Sequence, residues 1–190
     1  MSSRVHLVHG AFNRDASGWD GLLGELRSAG LPPVVRHYGW VGPLTTRRRS
    51  RAAGERLAED VSPQDHIVAF SNGGLVVHEA LEAGMECDRT VLIMPALRRD
   101  VTFGDGAKKV YVLHNSGDWA VELSRVWARL NPFGWAEGGW GAMGRHGPDT
   151  SDGRVEAIDT EAEHGTRGHL AWRDDDADHW MPRIVELLKG

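Results

Sequence analysis

The 190-residue sequence carries 22 Lys and Arg against 27 Asp and Glu, for a formal net charge of −5. That balance gives no reason to expect nucleic acid as a partner, because a phosphate-gripping surface needs an excess of Lys and Arg. With 41% hydrophobic and 26% charged residues and a single cysteine, Cys87, the composition is that of a globular chain large enough for one domain, and it excludes an intrachain disulfide framework.

No apolar run approaches the roughly 20 residues of a membrane span. Met1 to Arg4 lead directly into a strand pattern without the apolar stretch of a signal peptide, so the expected compartment is the cytoplasm. Val5–Val8 reads as a first strand ending at His9-Gly10. A helix follows over Gly18–Ala29, with Trp19, Leu22, Leu23 and Leu26 on one face and Gly30, Pro32 and Pro33 as its stop. Val34–Tyr38 is a second strand. The basic run Arg47-Arg48-Arg49-Ser50-Arg51 reads as the solvated start of a helix over Ser50–Asp60, in which Ala53, Leu57 and Val61 share a face.

Asp65–Phe70 is a third strand and Gly74–Ala83 the helix after it. Arg89–Met94, Val110–Leu113 and Val155–Ile158 are three more strands, and a last helix covers His179–Leu188 with Trp180, Ile184, Leu187 and Leu188 buried. Strands alternating with helices imply βαβ units in one mostly parallel sheet of about six strands, wound on both faces, over a single domain 1–190. The strands are continuously apolar, as strands buried on both faces are. In such sheets the ligand site lies beyond the C-terminal ends of the strands. One stretch breaks the rhythm: from Asn131 to Gly153 the chain is rich in Gly, Trp and Pro without a clear period, and a loop of that length is usually functional or mobile.

After the third strand stands Ala69-Phe70-Ser71-Asn72-Gly73-Gly74, a small-x-Ser-x-Gly pattern between strand and helix. The pattern has a steric basis. A serine in a strained conformation on a very sharp turn needs small residues two positions away on each side, here Ala69 and Gly73. The turn lifts the hydroxyl clear of the sheet, and the helix N-terminus favours negative charge beside it. A strand–turn–helix connection with Ser71 as a simple cap is the alternative reading.

This elbow, with His9-Gly10-Ala11-Phe12 after the first strand, resembles the α/β-hydrolase superfamily, and the compact esterases and lipases within it, across essentially the whole chain. The resemblance implies an oxyanion hole from the backbone N–H groups of Ala11 or Phe12 and of Asn72. It implies an acid after the fifth strand, where His114-Asn115-Ser116-Gly117-Asp118 offers Asp118, with Asp100 after the fourth strand as the runner-up. It implies a catalytic His in the loop before the last helix, where His164-Gly165-Thr166-Arg167-Gly168-His169 offers His169 ahead of His164 and His179. His6 and His9 read as structural.

The function so implied is cleavage of a carboxylic ester or thioester, with a small-molecule ester or acyl compound as substrate. A serine at the elbow disfavours the haloalkane dehalogenases and epoxide hydrolases, which use aspartate there. The short stretch from Ser71 to Asp118 leaves no room for a cap domain in its usual place. The longer stretch after Asp118, containing the apolar-faced segment VELSRVWARL, is expected to form an insert over 119–153 that covers the site. Trp119, Trp127, Trp135 and Trp140 would supply its apolar surface. No cofactor is implied. Asp174, Asp175, Asp176 and Asp178 lack the Gly and Glu of a calcium loop, and no H-E-x-x-H is present for zinc, so no metal is expected. Two other classes compete: a non-catalytic binding protein of the same fold, and a nucleotide-binding domain. The second lacks both G-x-G-x-x-G and the P-loop lysine.

Overall fold

A computed structural model describes residues 3–11, 18–39, 46–120 and 141–190. The described elements are β1 (Val5–Val8), α1 (Asp20–Ser28), β2 (Pro33–Arg36), α2 (Thr46–Asp60), β3 (His66–Phe70), α3 (Gly73–Glu82), β4 (Cys87–Ile93), β5 (Ala107–His114), α4 (Met143–His146), β6 (Val155–Asp159), α5 (Thr160–His164) and α6 (Ala177–Lys189). The strands form one six-stranded sheet in the order β2-β1-β3-β4-β5-β6, all pairs parallel. Among the described residues no helix is long and apolar enough to cross a membrane.

The chain runs outward from β1 to β2, then returns across β1 to lay β3 on its other side. β1 and β3 are therefore neighbours where the winding reverses, with Val8 level with Ala69. This is where an open α/β sheet parts its loops and leaves a crevice.

Strand side chains alternate between two cores, as the two-residue period demands. Val5, Leu7, Val68, Phe70, Val91 and Ile93 face a core shared with Trp19, Leu22 and Leu26 of the α1 region and with Trp180, Ile184 and Leu188 of α6. Val8, Ile67, Ala69 and Leu92 face the other, against Leu57 of α2 and Leu75, Val76 and Val77 of α3. Trp180 and Ile184 are wholly buried, so truncating either to alanine removes on the order of 3–5 kcal/mol.

Every strand expected from the sequence is present, with ends displaced by a few residues. β5 starts at Ala107 rather than Val110 because Ala107 pairs with Cys87 of β4, a tertiary contact that the polar Lys108 and Lys109 conceal. α2 starts at Thr46, so the basic run lies inside the helix, with Arg47 to Arg49 exposed, Ser50 buried and Arg51 paired with Glu55 one turn on. Two short helices went unseen in the sequence. α5 is set by Asp159, whose carboxylate accepts the N–H groups of Glu161 and Ala162, and it stops at Gly165 in the left-handed region. Neither α4 nor α5 is long enough to show a helical period.

Candidate active site

Ser71 follows β3 with φ of 54°, a left-handed conformation that costs a non-glycine residue roughly 1–3 kcal/mol. The surroundings hold it there: Ser71 N–H donates to Ile93 O at 2.9 Å, and Ser71 O accepts from Gly74 N–H at 3.0 Å and Ala96 N–H at 3.1 Å. The smallness of Gly73 has a different cause from the one the motif suggests. A methyl at Gly73 would stand 2.4 Å from Val8 O and 2.9 Å from His9 O, so it is the end of β1 that requires glycine at the start of α3. The same close approach brings the loop after β1 against the serine, and a methyl at Gly10 would lie 3.1 Å from Ser71 Cβ.

Asp118 follows β5 and is completely buried. Its Oδ2 lies 3.0 Å from Nδ1 of His169, whose side chain is 18% exposed. A carboxylate can only accept, so Nδ1 is the donor of this pair, and Nε2 is the ring nitrogen turned away from Asp118. The His169 ring rests against the Phe70 ring with centroids 4.7 Å apart, next to Ser71 in the chain. Residues expected at the ends of β3 and β5 and in the loop before α6 thus come to one end of the sheet.

Of the remaining site candidates, Ala11 is half-buried and Asn72 fully buried. Asn72 Nδ2 donates to Ser50 Oγ at 3.3 Å and to the Tyr38 hydroxyl at 3.4 Å. Tyr38 in turn donates to His9 O and stacks on the His9 ring, 4.2 Å between centroids. Trp119 is 64% exposed, with the Arg145 guanidinium 4.7 Å from its ring. Phe12, Trp127, Trp135, Trp140 and the segment VELSRVWARL lie outside the described residues.

Asp100 is exposed and engaged by Arg98, which holds its carboxyl below the ordinary range. His164 and His179 stack on one another at 3.8 Å. His9 places Nδ1 2.8 Å from Gly10 O, and buried His6 sits 3.1 Å from Asp65, accepting from Arg36.

Against solved structures, the chain is similar over 99% of its length, and 82% of the other chain, to the Pyrococcus furiosus esterase Pf2001, at 16% identity and a TM-score of 0.60. Alpha/beta hydrolase domain-containing protein 10 from mouse matches over 100% of this chain and 90% of its own, at 12% identity and a TM-score of 0.61. The chain has the α/β-hydrolase fold. Aspergillus fumigatus lipase B matches over 100% of this chain but 53% of its own, at 14% identity and a TM-score of 0.58, so the chain spans about half the length of the lipase. No family model and no curated protein matches the sequence.

On this α/β-hydrolase frame lie polar residues that sequence reasoning passed over. Asn115, Thr160 and Thr166 are buried and hydrogen-bonded to one another or to shared backbone groups. Asn115 stands in the turn that was singled out for Asp118. The signal that could have found it is an amide side chain directly after an apolar strand, where burial demands partners for both its ends.

Proposed function

We propose that this protein is a serine hydrolase that cleaves a carboxylic ester or thioester through an acyl-enzyme, with Ser71, His169 and Asp118 as its triad. The observation that carries the reading is the 3.0 Å pairing of His169 Nδ1 with the buried Asp118 carboxylate. A buried carboxylate on a partly exposed histidine is what a general base needs, because it fixes both tautomer and ring orientation.

In the reaction, Nε2 of His169 takes the Ser71 hydroxyl proton as Oγ bonds to the substrate carbonyl carbon. The carbonyl π electrons move onto oxygen, and the N–H groups of Asn72 and of the Ala11–Phe12 loop receive that oxyanion. Collapse re-forms the carbonyl and breaks the bond to the alkoxide or thiolate, which takes its proton from His169. Water repeats the sequence on the acyl-enzyme and regenerates Ser71. Asp118 stays ionised and stabilises the imidazolium that forms in each step. Proton transfer of this kind contributes about 10²–10⁴-fold, and each oxyanion donor about 10²–10³-fold.

The substrate side of the reading rests on Trp119 and Leu170. They are the exposed large hydrophobic residues among those described, at 64% and 39%, and each directly follows a member of the Asp118–His169 pair. An apolar rim of this kind suits the acyl or leaving group of a small ester, and Trp127, Trp135 and Trp140 would extend it. The names of the esterase and lipase neighbours support the same chemistry.

The test is fluorophosphonate labelling of the wild type and of Ser71→Ala, with turnover of short- and medium-chain p-nitrophenyl esters. Labelling and turnover that both disappear in the variant are expected. A folded wild type that neither labels nor turns over would overturn the reading in favour of a binding protein on this fold.

A further inference from the structure

The Asp118–His169 pair joins two chain segments that are far apart in sequence: the turn after β5 and the loop before α6. One side chain sits at the seam between them. Asn115 is completely buried. Its Oδ1 accepts the backbone N–H of Gly168 at 3.1 Å, and its Nδ2 donates to the carbonyl of the same Gly168 at 3.3 Å. Nδ2 also lies 3.3 Å from Thr160 Oγ1 and 3.3 Å from Met94 Sδ. Its own backbone carbonyl accepts the N–H of Asp118 at 3.2 Å, and its N–H donates to Gly144 O at 3.0 Å.

The amide thus pairs with Gly168 as one peptide group pairs with another, donor to acceptor and acceptor to donor. Gly168 has φ of +102°, a conformation that leaves the direction of the next residue unset by ordinary side-chain sterics, and that next residue is His169. The acid turn and the base loop touch at this point, since a methyl on Gly117 would lie 3.2 Å from Gly168 N and 3.3 Å from Asn115 Oδ1. Only a neutral amide, or an uncharged carboxyl, offers both halves of the match at this length.

We infer that Asn115 is a positioning residue for His169: by clamping both polar groups of Gly168, it sets the aim of the imidazole onto Asp118 and toward Ser71. The inference rests on the hydrolase reading above for its effect on rate, but not for its effect on the His169–Asp118 bond. A misplacement of about 1 Å in a general base lowers turnover by roughly a hundredfold, which sets the scale expected when the clamp is lost.

The experiment uses Asn115→Ala and Asn115→Asp in the full chain, assayed well below each variant's melting temperature on the p-nitrophenyl ester that the wild type turns over best. For Asn115→Ala, kcat is expected to fall roughly 10- to 100-fold while KM changes less than about threefold. Asn115→Asp carries a diagnostic that a purely structural residue would not show. Its buried carboxyl is pushed toward the neutral form. Once neutral, it offers O–H to Gly168 O and C=O to Gly168 N–H, so the ratio of variant to wild-type kcat rises as the pH is lowered.

The same variants are read by proton NMR through the far-downfield resonance of His169 Nδ1–H, present in the wild type and weakened or lost in Asn115→Ala. Should the wild type prove inactive, the hydrolase reading fails while this resonance still decides the clamp. A folded Asn115→Ala with wild-type kcat and an undisturbed resonance overturns the inference, as does an Asn115→Asp whose kcat stays below that of the wild type by the same factor at every pH. Failure of both variants to fold overturns it too, by making Asn115 a residue of the fold and not of the site.

Discussion

Trp180 donates its indole N–H to Thr166 Oγ1 across 2.7 Å, in a fully buried contact three residues before His169. Thr166 also gives its N–H to Thr160 O at 3.1 Å, and its carbonyl accepts the Thr160 hydroxyl at 3.3 Å. The loop that carries the imidazole is therefore fastened to the core through α5 and α6. Thr166→Val keeps the volume but leaves the indole N–H without its acceptor, and should cost about 1–3 kcal/mol of stability. Urea unfolding followed by tryptophan fluorescence measures it, and an unchanged midpoint would contradict the role assigned to the contact.

Asp118→Asn should lower kcat by roughly 10³–10⁴-fold on any ester that the wild type cleaves, because an amide facing Nδ1 favours the tautomer with its proton on Nε2, which cannot accept from Ser71. Asp100→Asn is the control. Asp100 is exposed and paired with Arg98, so its loss should change kcat by less than about twofold. Steady-state kinetics of the two variants side by side decide between the two carboxylates.

Tyr38→Phe removes a hydroxyl that touches both the residue after β1 and the Asn72 side chain. Loss of this bridge should reduce kcat about tenfold with little change in KM, because it ties His9, which leads into the Ala11–Phe12 loop, to Asn72, and the backbone N–H groups of both would meet the oxyanion. Burial holds the Tyr38 hydroxyl above the usual tyrosine range, so the bridge is intact across the whole pH range of an esterase assay. Equal kcat in the variant and the wild type would show that the bridge serves stability alone.

Stability should fall as the solution is acidified below about pH 6.5, the ordinary value for histidine in an unfolded chain. Burial lowers His6, His66, His78 and His114 below that value. The unfolded chain then binds more protons than the folded one, and stability is lost progressively as pH drops through that window. Asp65 adds a second stage. Burial alone would raise it, but the backbone N–H and guanidinium of Arg4, with Ser62 N–H and His6, hold it well below the usual carboxylate range. Its contribution is present above the unfolded value near 4 and disappears below it. Melting temperature measured from pH 8 to pH 3 should show both stages, and His78→Leu should make the first one shallower.

Most strands were legible as short apolar runs, and the order of elements followed from their alternation with helices. The ends were less legible, since Ala107 and Thr46 belong to their elements through contacts that no local pattern records. The site divides in the same way. As candidates, Ser71 was marked by its neighbours, and Asp118 and His169 by where they stand relative to strands. Asn115 and Thr166 are ordinary polar residues in a turn and a loop, and only the fold reveals that Asn115 faces the backbone of Gly168 and that Thr166 meets the Trp180 indole and the backbone of Thr160. Gly73 is a case in between: the pattern asks for a small residue there, while the reason, the carbonyl of Val8, comes from another strand.

The core on the Trp180 side joins elements far apart in sequence, with Val5 and Leu7 of β1 packed in one cluster with Trp180, Ile184 and Leu188 of α6. This has a consequence in time. During synthesis β1, β3 and α3 leave the ribosome early, and the Ser71 elbow can form while the chain is still growing. His169 and the helix that anchors its loop emerge later. While α6 is still in the exit tunnel, the pairing of His169 with Asp118 waits for that helix to dock.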